Sequence, residues 1–282
     1  MDKPVAVVTG ANRGIGRWVA LGLAATGHHV VMLVRDRARG EAAQGWVAAH
    51  CPGASTELAV ADLSTVAAAR AAGGAIRAAH PKLAVLVNNA GLFMPRRTET
   101  ADGHETTLAV NHLAPFVLSA ELDEALRAGA RDSGKESRLV NIGSTASDRA
   151  TIRLDDLELR RSWSIMRAYG QSKLALMMAT FERARRSEGS GVLVNVVHPG
   201  LVATDIGTMP GLVGLGWQFV KAFGLSERQG ADTPLFVCVS PRVAGRTGLY
   251  WKKRAPARPN SRALDRAACA RLWALTEEMT HA

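Results

Sequence analysis

The chain has 282 residues, 47% of them hydrophobic, and a formal net charge of +10; that is enough apolar material for a substantial core, and it excludes a disordered chain. The arginines are dispersed and the few aromatics scattered, which argues against a nucleic-acid partner and leaves phosphate-bearing small molecules as the ligands such charge attracts. Cys51, Cys238 and Cys269 are far apart without Cys-x-x-Cys spacing, and the histidines offer no His-x-x-x-His pair, so neither a disulfide framework nor a metal site is read.

From Met1 the chain passes at once into a strand-like run at 5–8, leaving no room for a signal peptide or membrane anchor, and a cytoplasmic location is expected. β-Branched runs at 5–8, 30–34, 57–60, 84–88, 139–142 and 192–197 alternate with helical stretches at 16–26, 38–50, 65–80, 104–129 and 166–187. A closing strand near 248–251 and a final helix over 263–280 complete the pattern. It predicts one α/β domain over 1–282, a doubly wound parallel sheet of the Rossmann type with helices on both faces. Lys252-Lys253-Arg254 reads as a solvated loop. The apolar stretch ending at Leu225 is broken by Pro210 and several glycines and holds Lys221, so it is unsuited to span a membrane. Residues 205–225 instead predict a lid over an apolar substrate, with an ordinary surface helical pair as the alternative.

Thr9-Gly10-Ala11-Asn12-Arg13-Gly14-Ile15-Gly16 follows the first strand directly and opens the first helix. Glycines there permit a tight turn and close approach of backbone to a pyrophosphate, while the helix N-terminus offers free N–H donors and the positive end of its dipole. Gly10, Asn12, Arg13, Gly14, Ile15 and Gly16 are therefore candidate dinucleotide contacts; a packing turn is the bland alternative. The second strand ends at Arg35, where an NAD enzyme carries an acid for the ribose 2′-hydroxyl. An arginine there, with Arg13 nearby, favours the 2′-phosphate of NADP (NADPH) over NAD. Asp36 keeps NAD open if the strand runs one residue further. Asp62 and Leu63 are placed for the adenine, with Asp62 alternatively capping the next helix. Asn89, Ala90 and Gly91 close the fourth strand, where small residues let a dinucleotide lie against backbone.

Tyr169 and Lys173 stand four apart on one helical face. Carbonyl reduction needs a proton on the oxygen as hydride reaches carbon, and a phenol of pKa about 10 becomes a better partner beside an ammonium. Ser144, at the end of the fifth strand, is placed to hold the substrate oxygen, or else to cap a turn. Asn111 is a poor helix former within a predicted helix, which predicts a kink or a proton relay. The loop His198-Pro199-Gly200, with Val202 and Thr204, follows the sixth strand and is read as the carboxamide-binding loop, a simple turn being the alternative.

Together these motifs resemble the short-chain dehydrogenase/reductase superfamily over nearly the whole chain. The resemblance implies a tetrad of Asn111, Ser144, Tyr169 and Lys173, with Tyr169 as acid or base, and a homo-oligomer, dimer or tetramer. Tyr169 follows Ser144 by 25 positions, against roughly a dozen in the usual arrangement around one substrate oxygen. That gap, Arg35-Asp36 and the late Arg271-Leu272-Trp273 run are similar to the retinol dehydrogenase and WW-domain oxidoreductase subgroup. Gly143 stands where many relatives have a serine. The implied activity is hydride transfer between NADPH and a carbonyl or alcohol of a hydrophobic small molecule. A double-bond reductase and a nucleotide-sensing binding protein are the alternatives, the latter expected to have lost a catalytic group.

Overall fold

The computed structural model describes residues 3–202 and 224–281. Its strands are β1 (Val5–Thr9), β2 (His29–Val34), β3 (Ser55–Val60), β4 (Val85–Asn88), β5 (Ser137–Ile142), β6 (Val192–His198), β7 (Tyr250–Lys252) and β8 (Ala255–Ala257). They form one sheet in the order β3-β2-β1-β4-β5-β6-β7-β8, parallel throughout except for the β7–β8 hairpin. The order reverses beside β1, so the crevice where ligands of such sheets bind opens at the carboxyl ends of β1 and β4.

The helices are α1 (Gly14–Ala25), α2 (Arg37–His50), α3 (Val66–Ala79), α4 (Thr106–Leu108), α5 (Ala114–Glu121), α6 (Asp123–Ser133), α7 (Ile165–Arg186), α8 (Glu227–Val239) and α9 (Arg266–His281). Successive side chains of a strand point to opposite faces, and here both faces are covered. Ala6, Val8, Val30 and Met32 pack into one apolar layer, with Val19 and Leu23 of α1 and Val237 of α8. Val7, Val31 and Leu33 pack into the other, with Ile76 of α3 and Leu118 of α5. Burial on both sides explains why these strands read as continuous apolar runs and not as alternating ones.

Helix starts follow local chemistry. Asp36 caps α2 by accepting from Arg39 N, and Thr65 caps α3 by accepting from Ala68 N. The helix predicted over 104–129 is instead three pieces: α4 and α5 are joined by a π-helical segment, Ala109–Leu113, and α6 restarts after a break at Leu122. Helix α8 is not among the predicted elements, although Ser226 and Gln229 form a capping box at its start. Lys253 and Arg254, within the expected solvated loop, both have positive φ, 49° and 60°. They are the two-residue turn of the β7–β8 hairpin, a geometry that matches strand twist. Val202 and Leu225 form a parallel bridge, and Leu225 N donates to Leu201 O at 2.8 Å. Thr204 and the predicted lid segment from 205 to 223 lie outside the described residues. Among the described residues no helix is long and apolar enough to cross a membrane.

Candidate active site

A cleft of about 1200 Å³ runs along the carboxyl ends of the strands. Its nucleotide-facing end is built mainly from backbone. Gly10, with φ of 64°, leaves β1 in the left-handed region, and its N–H donates to Leu33 O at 2.8 Å. A Cβ on Gly16 would stand 2.4 Å from both Asn89 Nδ2 and Gly10 O, so only glycine lets α1 start this close to β4. The Asn89 amide clasps this turn by donating to Thr9 O at 2.8 Å and Gly10 O at 3.3 Å. Thr9 Oγ1 completes the clasp, accepting from Asn89 N and Ala90 N at 2.9 Å each.

Beside this loop, exposed Arg13 and Arg35 line the cleft, and neither has an ion-pair partner among the described residues. Asp36 is turned to its helix: its carboxylate accepts Arg39 N at 3.0 Å. Arg39, one turn into α2, also lines the cleft. Asp62 and Leu63 form the wall beyond, with Asp62 Oδ1 accepting Ser64 N at 3.0 Å.

At the other end, Ser144 leaves β5 in extended backbone and caps a short 3₁₀ turn, Thr145–Ser147, its Oγ accepting Ala146 N at 3.2 Å. The same side chain is the polar neighbour of the Tyr169 phenol. Burial pushes the Tyr169 phenol above its ordinary value, and the Ser144 hydroxyl opposes that shift. Lys173, one turn further along α7, is buried, and desolvation lowers its ammonium to about 8. Its Nζ donates to Ile142 O at 2.9 Å and stands 6.0 Å from the Tyr169 ring centroid. In this arrangement the lysine's donor is directed at the β5 carbonyl, and Ser144 is the group that draws the phenol down.

Asn111 is fully buried in the π-helical segment, where a widened turn frees side chains for other contacts. Its amide accepts Leu92 N at 2.9 Å and donates to Leu92 O at 2.8 Å and Ser172 Oγ at 3.0 Å. Ser172 Oγ in turn donates to Tyr169 O at 2.9 Å. Asn111 thus fastens the loop after β4 to the turn of α7 that carries Tyr169, which fits the expected kink.

Two further supports come from late in the chain. Asp148 accepts from Tyr250 Oη at 3.0 Å and Lys252 Nζ at 2.6 Å. Asn260 Nδ2 donates to Ser147 O at 2.8 Å and Ala150 O at 3.0 Å. His198, at the end of β6, is held down to about 4, first by burial and then by the nearby Lys252 charge. The walls here are apolar, formed by Leu92, Phe93, Met94, Val110, Ile165 and Met166. Phe93 meets the Tyr169 ring edge to face, at 5.2 Å.

Sequence and structural comparisons agree with this geometry. Residues 4–209 match the family model described as short chain dehydrogenase. Human retinol dehydrogenase 14 is 36% identical, over 99% of this chain and 87% of its own. Mouse polyprenol dehydrogenase is also 36% identical, over 96% and 82%. Among solved structures, an uncharacterized protein from Mycobacterium Paratuberculosis superposes with TM-score 0.78 at 29% identity, covering 99% of this chain and 96% of that one. The NADP complex of Pseudomonas aeruginosa RhlG does so with TM-score 0.67 at 26% identity, covering 88% and 93%. The chain belongs to the short-chain dehydrogenases. Within them it falls with the retinol dehydrogenase-like relatives.

Seen as a short-chain dehydrogenase, the chain gathers most of its sequence-predicted residues along one cleft. Gly10, Asn12, Arg13, Gly14, Ile15, Arg35, Asp62 and Leu63 line one end; Ala90, Gly91, Ser144, Tyr169, Lys173, Pro199, Gly200 and Val202 line the rest, and Asn89 lies between. Gly16 and Asn111 do not reach its surface and act through packing and hydrogen bonds. At Gly143 a Cβ would stand 2.9 Å from Val196 Cγ2. The long Ser144–Tyr169 gap folds as a packed insert. Buried Asp156 caps it by accepting Arg160 N at 2.8 Å, and Glu158 reaches His104 Nδ1 at 2.9 Å. Arg39, Phe93 and the Ile142 carbonyl were not singled out from the sequence; Arg39, one turn beyond Arg35, carried a readable signal.

Proposed function

We propose that this short-chain dehydrogenase is an NADPH-preferring reductase of ketones or aldehydes on hydrophobic small molecules, reversible to alcohol oxidation. The observation that carries the reading is one continuous cleft with two arginines, Arg13 and Arg35, that have no ion-pair partner among the described residues at one end, and Ser144, Tyr169 and Lys173 at the other. The glycine turn, the N-terminus of α1 and small Ala90 and Gly91 suit a dinucleotide lying against backbone. When bound, the nicotinamide supplies the hydride.

The chain's residues do the rest. Ser144 Oγ orients the substrate oxygen toward the Tyr169 hydroxyl, which donates its proton as the carbonyl carbon is reduced. Lys173, once its donors are shared with a bound ribose, brings positive charge to the phenol and eases proton loss. Asn111 is the positioning member, fixing the loop at Leu92 against α7. Arg13 and Arg35 bind the 2′-phosphate by charge-assisted hydrogen bonds, while Asp36 is spent on capping α2. The apolar wall from Leu92 to Met94, with Ile165 and Met166, excludes water and accepts an apolar substrate.

Titration with NADPH and NADH, followed by loss of nicotinamide absorbance on a panel of apolar ketones, aldehydes and quinones, tests the reading. Tighter NADPH binding with turnover is expected. Tight binding with no turnover across the panel removes the carbonyl chemistry, and equal affinity for both nucleotides removes the preference.

A further inference from the structure

Away from the cleft, three side chains that no motif joins come together at the edge of the sheet. His29 opens β2, Glu57 lies in edge strand β3, and His80 caps the C-terminus of α3, its N–H donating to Ile76 O at 2.7 Å. Glu57 Oε1 stands 2.5 Å from His80 Nε2, and Oε2 stands 3.4 Å from His29 Nε2. The two imidazoles approach each other at 5.5 Å between centroids, tilted by 41°. One ligand atom from each of the three residues falls within a set no more than 4.8 Å across.

We propose that His29, Glu57 and His80 form a zinc site. Two imidazole nitrogens and one carboxylate oxygen suit zinc, which takes such ligands at about 2.0–2.2 Å and, with three protein ligands, keeps a fourth position for water. Tetrahedral ligands at those lengths lie about 3.4 Å apart. The His29–Glu57 pair already has that separation, at 3.4 Å; on binding, the Glu57–His80 pair opens from 2.5 Å and the two histidines settle within a set now no more than 4.8 Å across. The outer contact is in place as well: Ser55 Oγ lies 2.8 Å from His29 Nδ1. With Nε2 on a metal, Nδ1 keeps its proton and donates it to that hydroxyl, which fixes the ring's tautomer and direction. Both histidines are mostly buried while Glu57 is more exposed, at 22% and 17% against 42% of their side chains, so an ion has a path in from the carboxylate side.

The site clamps the end of α3 to the β2–β3 edge. At ~3.3 Å per residue, the length of β2 separates His29 from Arg35 by about 20 Å. Zinc here is therefore remote from the cleft and takes no part in hydride transfer. Cysteine spacing and His-x-x-x-His patterns do not find the cluster, because its members come from two strands and a helix cap.

The test is calorimetric titration of chelator-treated full-length protein with zinc chloride, repeated with cobalt(II) as a visible-absorbing probe. One zinc per chain is expected, with a rise in melting temperature. Ser55→Ala should weaken binding by about 10-fold or more, the scale of an outer-shell partner; Glu57→Gln and the pair His29→Gln, His80→Gln should weaken it further and remove the tetrahedral cobalt bands. Turnover at saturating NADPH should not change. Glu57→Gln preserves shape and serves if the double variant fails to fold. No stoichiometric binding by the unaltered protein overturns the proposal, as does equal binding by Glu57→Gln, which would place the metal elsewhere.

Discussion

The two ends of the cleft are built by different means. The nucleotide end is made of backbone at the strand ends: Gly10 and Gly16 shape the turn after β1, and Asn89, 80 positions beyond Thr9, clasps it from the end of β4. The substrate end is made of side chains brought in from across the chain. Ser144 is steadied by residues near 250 and 260, Tyr169 is tied through Ser172 to Asn111, and the wall comes from the loop after β4 and the start of α7. The difference teaches that a common ligand can be met with backbone at the ends of adjacent strands, whereas the substrate end rests on side chains and their supports from across the chain.

The largest effect should come from the substrate end. Tyr169→Phe is expected to lower kcat about 10²–10⁴-fold, the usual worth of a positioned acid, while NADPH affinity measured by fluorescence titration stays near that of the parent. Loss of both together would mean the two ends are not separable. At the nucleotide end, Arg35→Asp should cut the preference for NADPH over NADH about 10–100-fold, corresponding to one or two charge-assisted hydrogen bonds, with kcat at saturation little changed; an unaltered ratio would give the 2′-phosphate to Arg13 or Arg39.

A smaller, graded effect is expected from pH. Below about 8 Lys173 is charged, and above it the buried ammonium loses its proton. The reductive kcat/KM should therefore hold below that point and fall about tenfold per unit above it. A profile flat to pH 10 would take Lys173 out of the acid's support. The smallest effect concerns the strand that carries Ser144. Gly143→Ser meets Val196 at 2.9 Å, and such overpacking costs about 1–3 kcal/mol. Thermal melting should register the loss, and Val196→Ala in the same chain should recover part of it.

Much of the architecture was legible in sequence because both faces of the sheet are buried, which leaves apolar strand runs separated by helical ones. Arg35 and Asp36 were read in the right register since β2 ends at Val34. What escaped the reading depends on distant contacts. The helix predicted over 104–129 widens into a π-helical turn where Asn111 faces inward to Leu92 and Ser172, and its fully buried position has no local signature beyond poor helix propensity. The lysine's attachment to the Ile142 carbonyl depends on α7 lying across the end of β5. Helix α8 had a readable capping box at Ser226 and Gln229, obscured by the Gly- and Pro-rich stretch before it and by Pro234 within it.

The bonds from Asn260 to Ser147 and Ala150, and from Tyr250 and Lys252 to Asp148, have a temporal side. A ribosome makes Ser144 more than a hundred residues before it makes Asn260. While the chain is growing, the turn that carries the serine waits without its braces, even after the glycine loop and the first four strands have emerged. Chemistry is therefore the last property the nascent chain acquires.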